Sequence, residues 1–184
     1  MSQELDSLDK TGHVLLLYDS ELEREYTISE FIHNTLGRGH TAVLASISND
    51  TFAQSSKYQT ITASHDGKSE RGCFILLDIR DCYEDALNGD FHGASKMREK
   101  LERILTEQSS DNDFVIIVVD CAEHLSLNEK FEECGILEKS LQNSFKSWER
   151  RGLKVLLICP HLASVLDAGE KKMLEKNHTA IAMT

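Results

Sequence analysis

Apolar residues fall along this chain in two rhythms, short continuous runs and longer stretches repeating every three or four positions. The first run, Val14 to Tyr18, reads as a buried strand. A polar turn leads from it into a helix with the inward stripe Leu22, Ile28, Phe31, Ile32, Thr35 and Leu36. Ser20 followed by Glu23 is a capping-box signature at the start of that helix, and Gly37 and Gly39 stop it. Further strands are predicted at His40 to Ile47, Gly72 to Ile79, Asp113 to Asp120 and Leu153 to Pro160, with a sixth in the closing HTAIAMT. The run DFVIIVVD, ending at Asp120, is the most apolar, as expected of a central strand buried on both faces. Between the strands the spacing predicts a short helix capped by Asn49 or Asp50 and running to Tyr58. Others follow: a short helix and turn in DCYEDALNGDFHG, then helices over Ala94 to Glu107, about Asn128 to Arg150, and Leu162 to Lys176. Strands alternating with helices of this length predict an α/β protein, a three-layer α/β/α sandwich with a mostly parallel central sheet of about six strands.

At 184 residues, 40% of them hydrophobic, the chain suits one domain with a core of its own. A single proline and ten glycines leave no long linker, so residues 12–184 are read as one domain behind a flexible leader of residues 1–11. The formal net charge of −11 lacks the clustered cations that release counterions from phosphates, which argues against nucleic acid and against an anionic membrane surface. No apolar run has the length of a membrane span. The polar start MSQELDSLDKTG is unlike a signal peptide. Cys73, Cys82, Cys121, Cys134 and Cys159 are odd in number, widely spaced and free of any CxxC pair, the usage of reduced thiols in a cytoplasmic protein.

In an open parallel sheet, ligands gather beyond the carboxyl ends of the strands. The chemistry-bearing residues there are Tyr18 and Asp19, the segment from Ser48 to Asp50, that from Asp78 to Asp81, Asp120 with Glu123 and His124, and Cys159 with His161. A strand ending in Asp120 has the form of a Walker-B strand, whose aspartate positions magnesium in nucleotide hydrolases. A buried strand whose aspartate merely caps the next turn has the same form. No GxxxxGK[ST] loop accompanies it, and the turn after the first strand carries Asp19, Glu21 and Glu23, which would repel phosphates. ATP hydrolysis by the usual route is therefore not expected. Cys159, His161, Glu123 and His124 offer metal-binding atoms, but no ligand pair has the customary short spacing, so no metal or other cofactor is assigned. Cys159 beside His161 or His124 could act as a nucleophile, yet a buried thiol is inert, and no catalytic residue is assigned.

Several segments together resemble one known family. TGHVLLLYDSELEREYTISEFIHNTLGRGHTAVLAS resembles the opening of the MEDS domain, the sensory domain named for methanogens, methylotrophs and a dichloromethane-responsive repressor. DCYEDALNGDFHGASKMREKLERIL is similar to that family's middle segment, and FEECGILEKSLQNSF to its later helix, with Glu138 at the glutamate position. LLICPH and MLEKNHTAI resemble the strand and the histidine-containing turn that close it. The resemblance implies a RecA/KaiC-like core without its phosphate loop, used in archaeal or bacterial signal transduction. It would take an unknown small molecule or a signalling protein such as a kinase or transcription regulator. The candidate binding residues are Tyr18, Asp19, Glu21, Asp120, Glu123, His124, Glu138, Cys159 and His161. CAEHLSLNEK lacks the basic, glycine-rich character expected of the family at that point, and no helix-turn-helix or kinase segment is present, so a signal is expected to pass to a separate protein. The alternatives are a divergent KaiC-like nucleotide-binding protein and a scaffold that acts as a homo-oligomer.

Overall fold

The computed structural model describes residues 11–47, 72–108 and 114–184. Six strands form one sheet: β1 (Gly12–Tyr18), β2 (Thr41–Ser46), β3 (Cys73–Asp78), β4 (Phe114–Val119), β5 (Lys154–Leu162) and β6 (Ala180–Met183). Their order is β3-β2-β4-β5-β1-β6, and every pairing is parallel. The sequence reading expected a mostly parallel sheet; it is parallel throughout. The predicted short helix before Tyr58 and the β-branched stretch after it lie outside the described residues.

Alternation along the strands divides the core in two. Val14 and Leu16 of β1, with Leu44, Ile116, Leu156 and Ile158, face helix α1 (Glu21–Gly37) through Ile28, Ile32 and Leu36. Leu15 and Leu17, with Val43, Ile117, Leu157 and Cys159, face the opposite layer. That layer holds α2 (Arg80–Leu87), α3 (His92–Gln108), α4 (Cys121–Leu127), α5 (Phe131–Arg150) and α6 (Ala168–Lys176). Strands buried on both faces explain why β1, β2 and β4 read as unbroken apolar runs.

Three helical expectations are corrected. Leu22 is not on the inward stripe: it is 76% exposed. Buried Arg24 takes that place, because the row 24-28-32-36 repeats every four residues while position 22 falls on the opposite side. The helix expected from Asn128 onward is preceded by a separate one, α4, and Glu129 at φ 58° makes the turn between α4 and α5. The last helix begins at Ala168 rather than Leu162, after a 3₁₀ turn at Ala163–Val165. Asp167 and Glu170 form a reciprocal capping box there, at 2.8 and 2.7 Å.

Backbones of α2 and α3 meet at Gly93, whose amide donates to Asp85 at 2.9 Å. A Cβ on Gly93 would lie 2.7 Å from the Asp81 carbonyl oxygen and 2.7 Å from the Cys82 Cα. Gly-to-Ala in a helix ordinarily gains up to about 1 kcal/mol. Here overpacking of roughly 1–3 kcal/mol should outweigh that gain. Gly93→Ala is expected to lower the urea midpoint, and a raised midpoint would show that the two helices can slide apart freely.

Candidate functional site

At the carboxyl end of the sheet, three strand ends deliver polar groups into one buried network. Tyr18 closes β1, Ser46 closes β2 and Asp120 follows β4, with β5 lying between β1 and β4. Glu123 enters from the first turn of α4, and Arg24 from the second turn of α1. Arg24 grips Glu123 with two parallel bonds, Nε to Oε1 at 2.7 Å and Nη2 to Oε2 at 2.6 Å. Such a bidentate fork is the strongest form of side-chain pairing. The Tyr18 hydroxyl donates to the same Oε1. Asp120 accepts from the Ser46 hydroxyl and from the Ile47 amide at 3.0 Å, and its Oδ2 lies 3.8 Å from Arg24 Nη2. Tyr18, Arg24, Asp120 and Glu123 are all buried.

Electrostatics follow from that burial. Desolvation opposes the charge on Arg24, but Glu123 outweighs it and holds the guanidinium above its ordinary range. Burial, then Glu123, pushes the Tyr18 phenol up, so it remains a donor. Burial raises Asp120 against the pull of His124, Ser46 and Arg24. His124 stays partly open to solvent, with Nε2 3.9 Å from Asp120 Oδ2.

Asp19 and Glu21 do not join this network; both sit exposed at the start of α1. Ser20 caps the helix by accepting from the Glu23 amide at 3.3 Å, while Glu23 reaches back to the Asp19 amide at 3.2 Å. The expected capping box is therefore displaced by one residue on its return arm. The acidic turn is a cap that complements the helix dipole.

Cys159, His161 and Glu138 belong to a second constellation, sandwiched between the sheet and α5. Glu138 is wholly buried; its Oε1 is 3.0 Å from His161 Nε2, and its Oε2 is 3.2 Å from His178 Nε2 and 3.6 Å from His13 Nε2. Cys159 Sγ lies 3.3 Å from His13 Nε2. His13 Nδ1 is 2.8 Å from both the Asn177 carbonyl oxygen and Gln142 Oε1. Burial pushes His13 down to about 4, the neighbouring His178 adding to the effect and Glu138 opposing it. Burial works against ionised Glu138, yet His178 and His161 hold it well below the usual carboxylate range. His178 is in turn raised by Glu138 in spite of its own burial. Burial and the same carboxylate push the Cys159 thiol well up, which leaves it a poor nucleophile.

The sequence reading grouped Cys159, His161, Glu123 and His124. The structure divides them, Glu123 and His124 going to the strand-end network and Cys159 and His161 to the inner one. One link joins the two: the Ser126 hydroxyl donates to the Glu123 carbonyl at 2.7 Å and lies 3.3 Å from His161 Nδ1. Arg24 and Ser46 were not singled out from sequence, and His13 and His178 entered only through the segments that carry the family resemblance, not as candidate site residues. Arg24 and His13 each carry a retrospective signal, a polar residue in phase with a buried row: 24-28-32-36 on α1 and 13-15-17 on β1. Ser46 carries none, and His178 only its place in the closing histidine-containing turn.

No protein-family model and no curated protein matches the chain. Among solved structures, it is similar to the helicase domain of Pyrococcus furiosus Hef, with a TM-score of 0.51 at 13% identity. The match covers all of this chain and 37% of that one, so the chain spans little more than a third of that neighbour. At this identity the likeness speaks for architecture alone. The chain has the RecA-like α/β fold, with a six-stranded parallel sheet.

Proposed function

We propose that the chain is a non-catalytic sensory module that binds a small ligand or a signalling partner, built on a RecA-like core whose nucleotide position its own side chains have closed. The carrying observation is Arg24. In nucleotide hydrolases the aspartate at the end of the Walker-B strand holds magnesium. Here a guanidinium lies 3.8 Å from that aspartate, Asp120, and is clamped to Glu123 beside it. A cation approaching Asp120 would have to displace a buried, doubly bonded arginine, and the sequence holds no GxxxxGK[ST] motif to take the phosphates. The resemblance to the MEDS domain supports the same reading. A ligand or partner arriving at this end meets the exposed Asp19 and Glu21 and the half-open His124 before the closed network behind them.

Calorimetric titration with ATP and magnesium is the test. No saturable heat is expected up to about 1 mM, equivalent to binding weaker than about −4 kcal/mol. Micromolar binding that Asp120→Ala abolishes would make the protein a divergent nucleotide binder instead. In parallel, a metabolite screen by thermal shift should find a compound that raises the melting temperature, as any ligand selective for the native state must. A screen without a shift, together with no captured partner, would end the sensory reading.

A further inference from the structure

We propose that His13 Nε2, Glu138 Oε2, Cys159 Sγ and His178 Nε2 form a binding site for one divalent transition-metal ion of the zinc class. These four atoms all lie within 4.8 Å of one another. Three of their separations are 3.2, 3.3 and 3.6 Å. Bonds of 2.0–2.3 Å from a tetrahedral zinc to N, O and S imply ligand-to-ligand edges of roughly 3.3–3.8 Å. Three of the six edges already have nearly those dimensions, and the other three are no longer than 4.8 Å.

Hydrogen bonding aims the lone pairs inward. Nδ1 of His13 faces the Asn177 carbonyl oxygen and Gln142 Oε1, both acceptors, so the proton of the neutral ring sits on Nδ1. Nδ1 of His178 lies 2.7 Å from the Leu174 carbonyl oxygen, which fixes the same tautomer. Each Nε2 then presents a lone pair to the cluster, the arrangement by which metal-binding histidines are oriented. Glu138 has one oxygen occupied by His161, while Oε2 is buried and forms no hydrogen bond. His178 Nε2 is likewise buried; the two atoms are 3.2 Å apart and pair as ions, but not with the geometry of a hydrogen bond. Buried polar atoms are rarely left unsatisfied. A single cation at the centre would satisfy both, together with His13 and Cys159.

The donor set selects the metal. Two imidazoles, a thiolate and a carboxylate suit zinc or cobalt(II) and do not suit calcium or magnesium, which take oxygen ligands. Four protein ligands fill a tetrahedron and leave no position for substrate, so the ion is structural or sensory. Binding requires the Cys159 thiol and the imidazolium form of His178, favoured by Glu138 beside it, to release their protons to solvent. The ligands come from β1, α5, β5 and the turn before β6, so the ion would fasten the two ends of the chain to the middle. This site touches the strand-end network through His161 and Ser126, but none of its four ligands belongs to that network, and it does not depend on whether a nucleotide or another small molecule binds there.

Cobalt(II) is the probe. Titrated into chelator-treated full-length protein, it is expected to give the intense visible bands of tetrahedral cobalt and a near-ultraviolet thiolate-to-metal band, saturating at one equivalent and displaced by zinc. Cys159→Ser should abolish the near-ultraviolet band, and His178→Asn should weaken affinity at least 100-fold. Gln142→Ala, which removes only an orienting partner of His13, covers the event that a ligand variant does not fold; it should cost roughly 10–100-fold in affinity. Octahedral or absent bands in folded protein would overturn the site and leave the cluster as a histidine–glutamate ion pair. The same conclusion would follow from bands that survive in Cys159→Ser and His178→Asn.

Discussion

Arg24→Met is expected to destabilise the protein by about 3–5 kcal/mol, because it strips the countercharge from a buried carboxylate without removing the carboxylate. Glu123 would lose both of its charge-assisted bonds and keep only the Tyr18 hydroxyl, and Asp120 would lose the cation beside it. For a chain of this size, each kcal/mol lowers the melting temperature by about 2–4 °C, so a fall of roughly 6–20 °C should be seen. Arg24→Met/Glu123→Gln removes the stranded charge while leaving Tyr18 an acceptor, and should recover at least half of the loss. Urea unfolding of wild type, both single variants and the double variant closes the cycle. If Arg24→Met alone cost less than about 1 kcal/mol, the pair would be behaving as a solvated surface bridge, and the proposal that side chains close the nucleotide position would lose its physical basis.

Stability in the presence of a chelator is expected to peak near pH 6.5 and to fall on both sides. Folded His13 takes up a proton only near pH 4, whereas the unfolded imidazole does so at 6.5. Between those values the unfolded chain binds more protons, so stability drops as pH drops, by up to about 3 kcal/mol at pH 4. His178 acts in the opposite sense. Its folded pKa is raised, so its contribution is complete below 6.5 and is lost as pH rises through the folded value. Glu138, held low, adds stability above the usual carboxylate range that is lost only in stronger acid. The groups facing His13 are Glu138 and Gln142 on α5, Cys159 on β5 and His178 with the Asn177 carbonyl before β6. Unfolding midpoints measured from pH 4 to 9 provide the check, with His13→Asn removing the acid limb and His178→Asn the alkaline one. An acid limb unchanged in His13→Asn would place the titrating group elsewhere.

The two networks differ in how far the sequence announced them. Strands were legible because burial on both faces writes itself as uninterrupted apolar runs in β1, β2 and β4, and the partly buried edge strand β3 keeps an apolar run as well; all four lie within a residue or two of expectation. Asp120, Glu123 and His161 were legible because strand ends are where an open sheet collects chemistry, whereas Cys159, expected near the end of its strand, lies inside β5, which runs on to Leu162. Their partners were not. Arg24 looked like one charge among several in ELERE, and only the position of Glu123, 99 residues further on, turns it inward. His13 and His178 are 165 residues apart and meet because β6 returns to lie beside β1, which no local pattern states. Helix boundaries failed where a polar segment had two readings, as at Asp167, whose capping box with Glu170 interrupts what the apolar spacing alone would continue.

The strand order also sets a timetable for synthesis. β1 is the first strand made, yet its two neighbours, β5 and β6, are the last. At a ribosomal rate of about 5–20 residues per second, the interval between Tyr18 and the completion of β5 and β6 is roughly 10–30 s. Throughout that time the segment GHVLLLY has no native edge to join. Until then β1 is open to off-pathway association, and aggregation during expression should respond to translation speed.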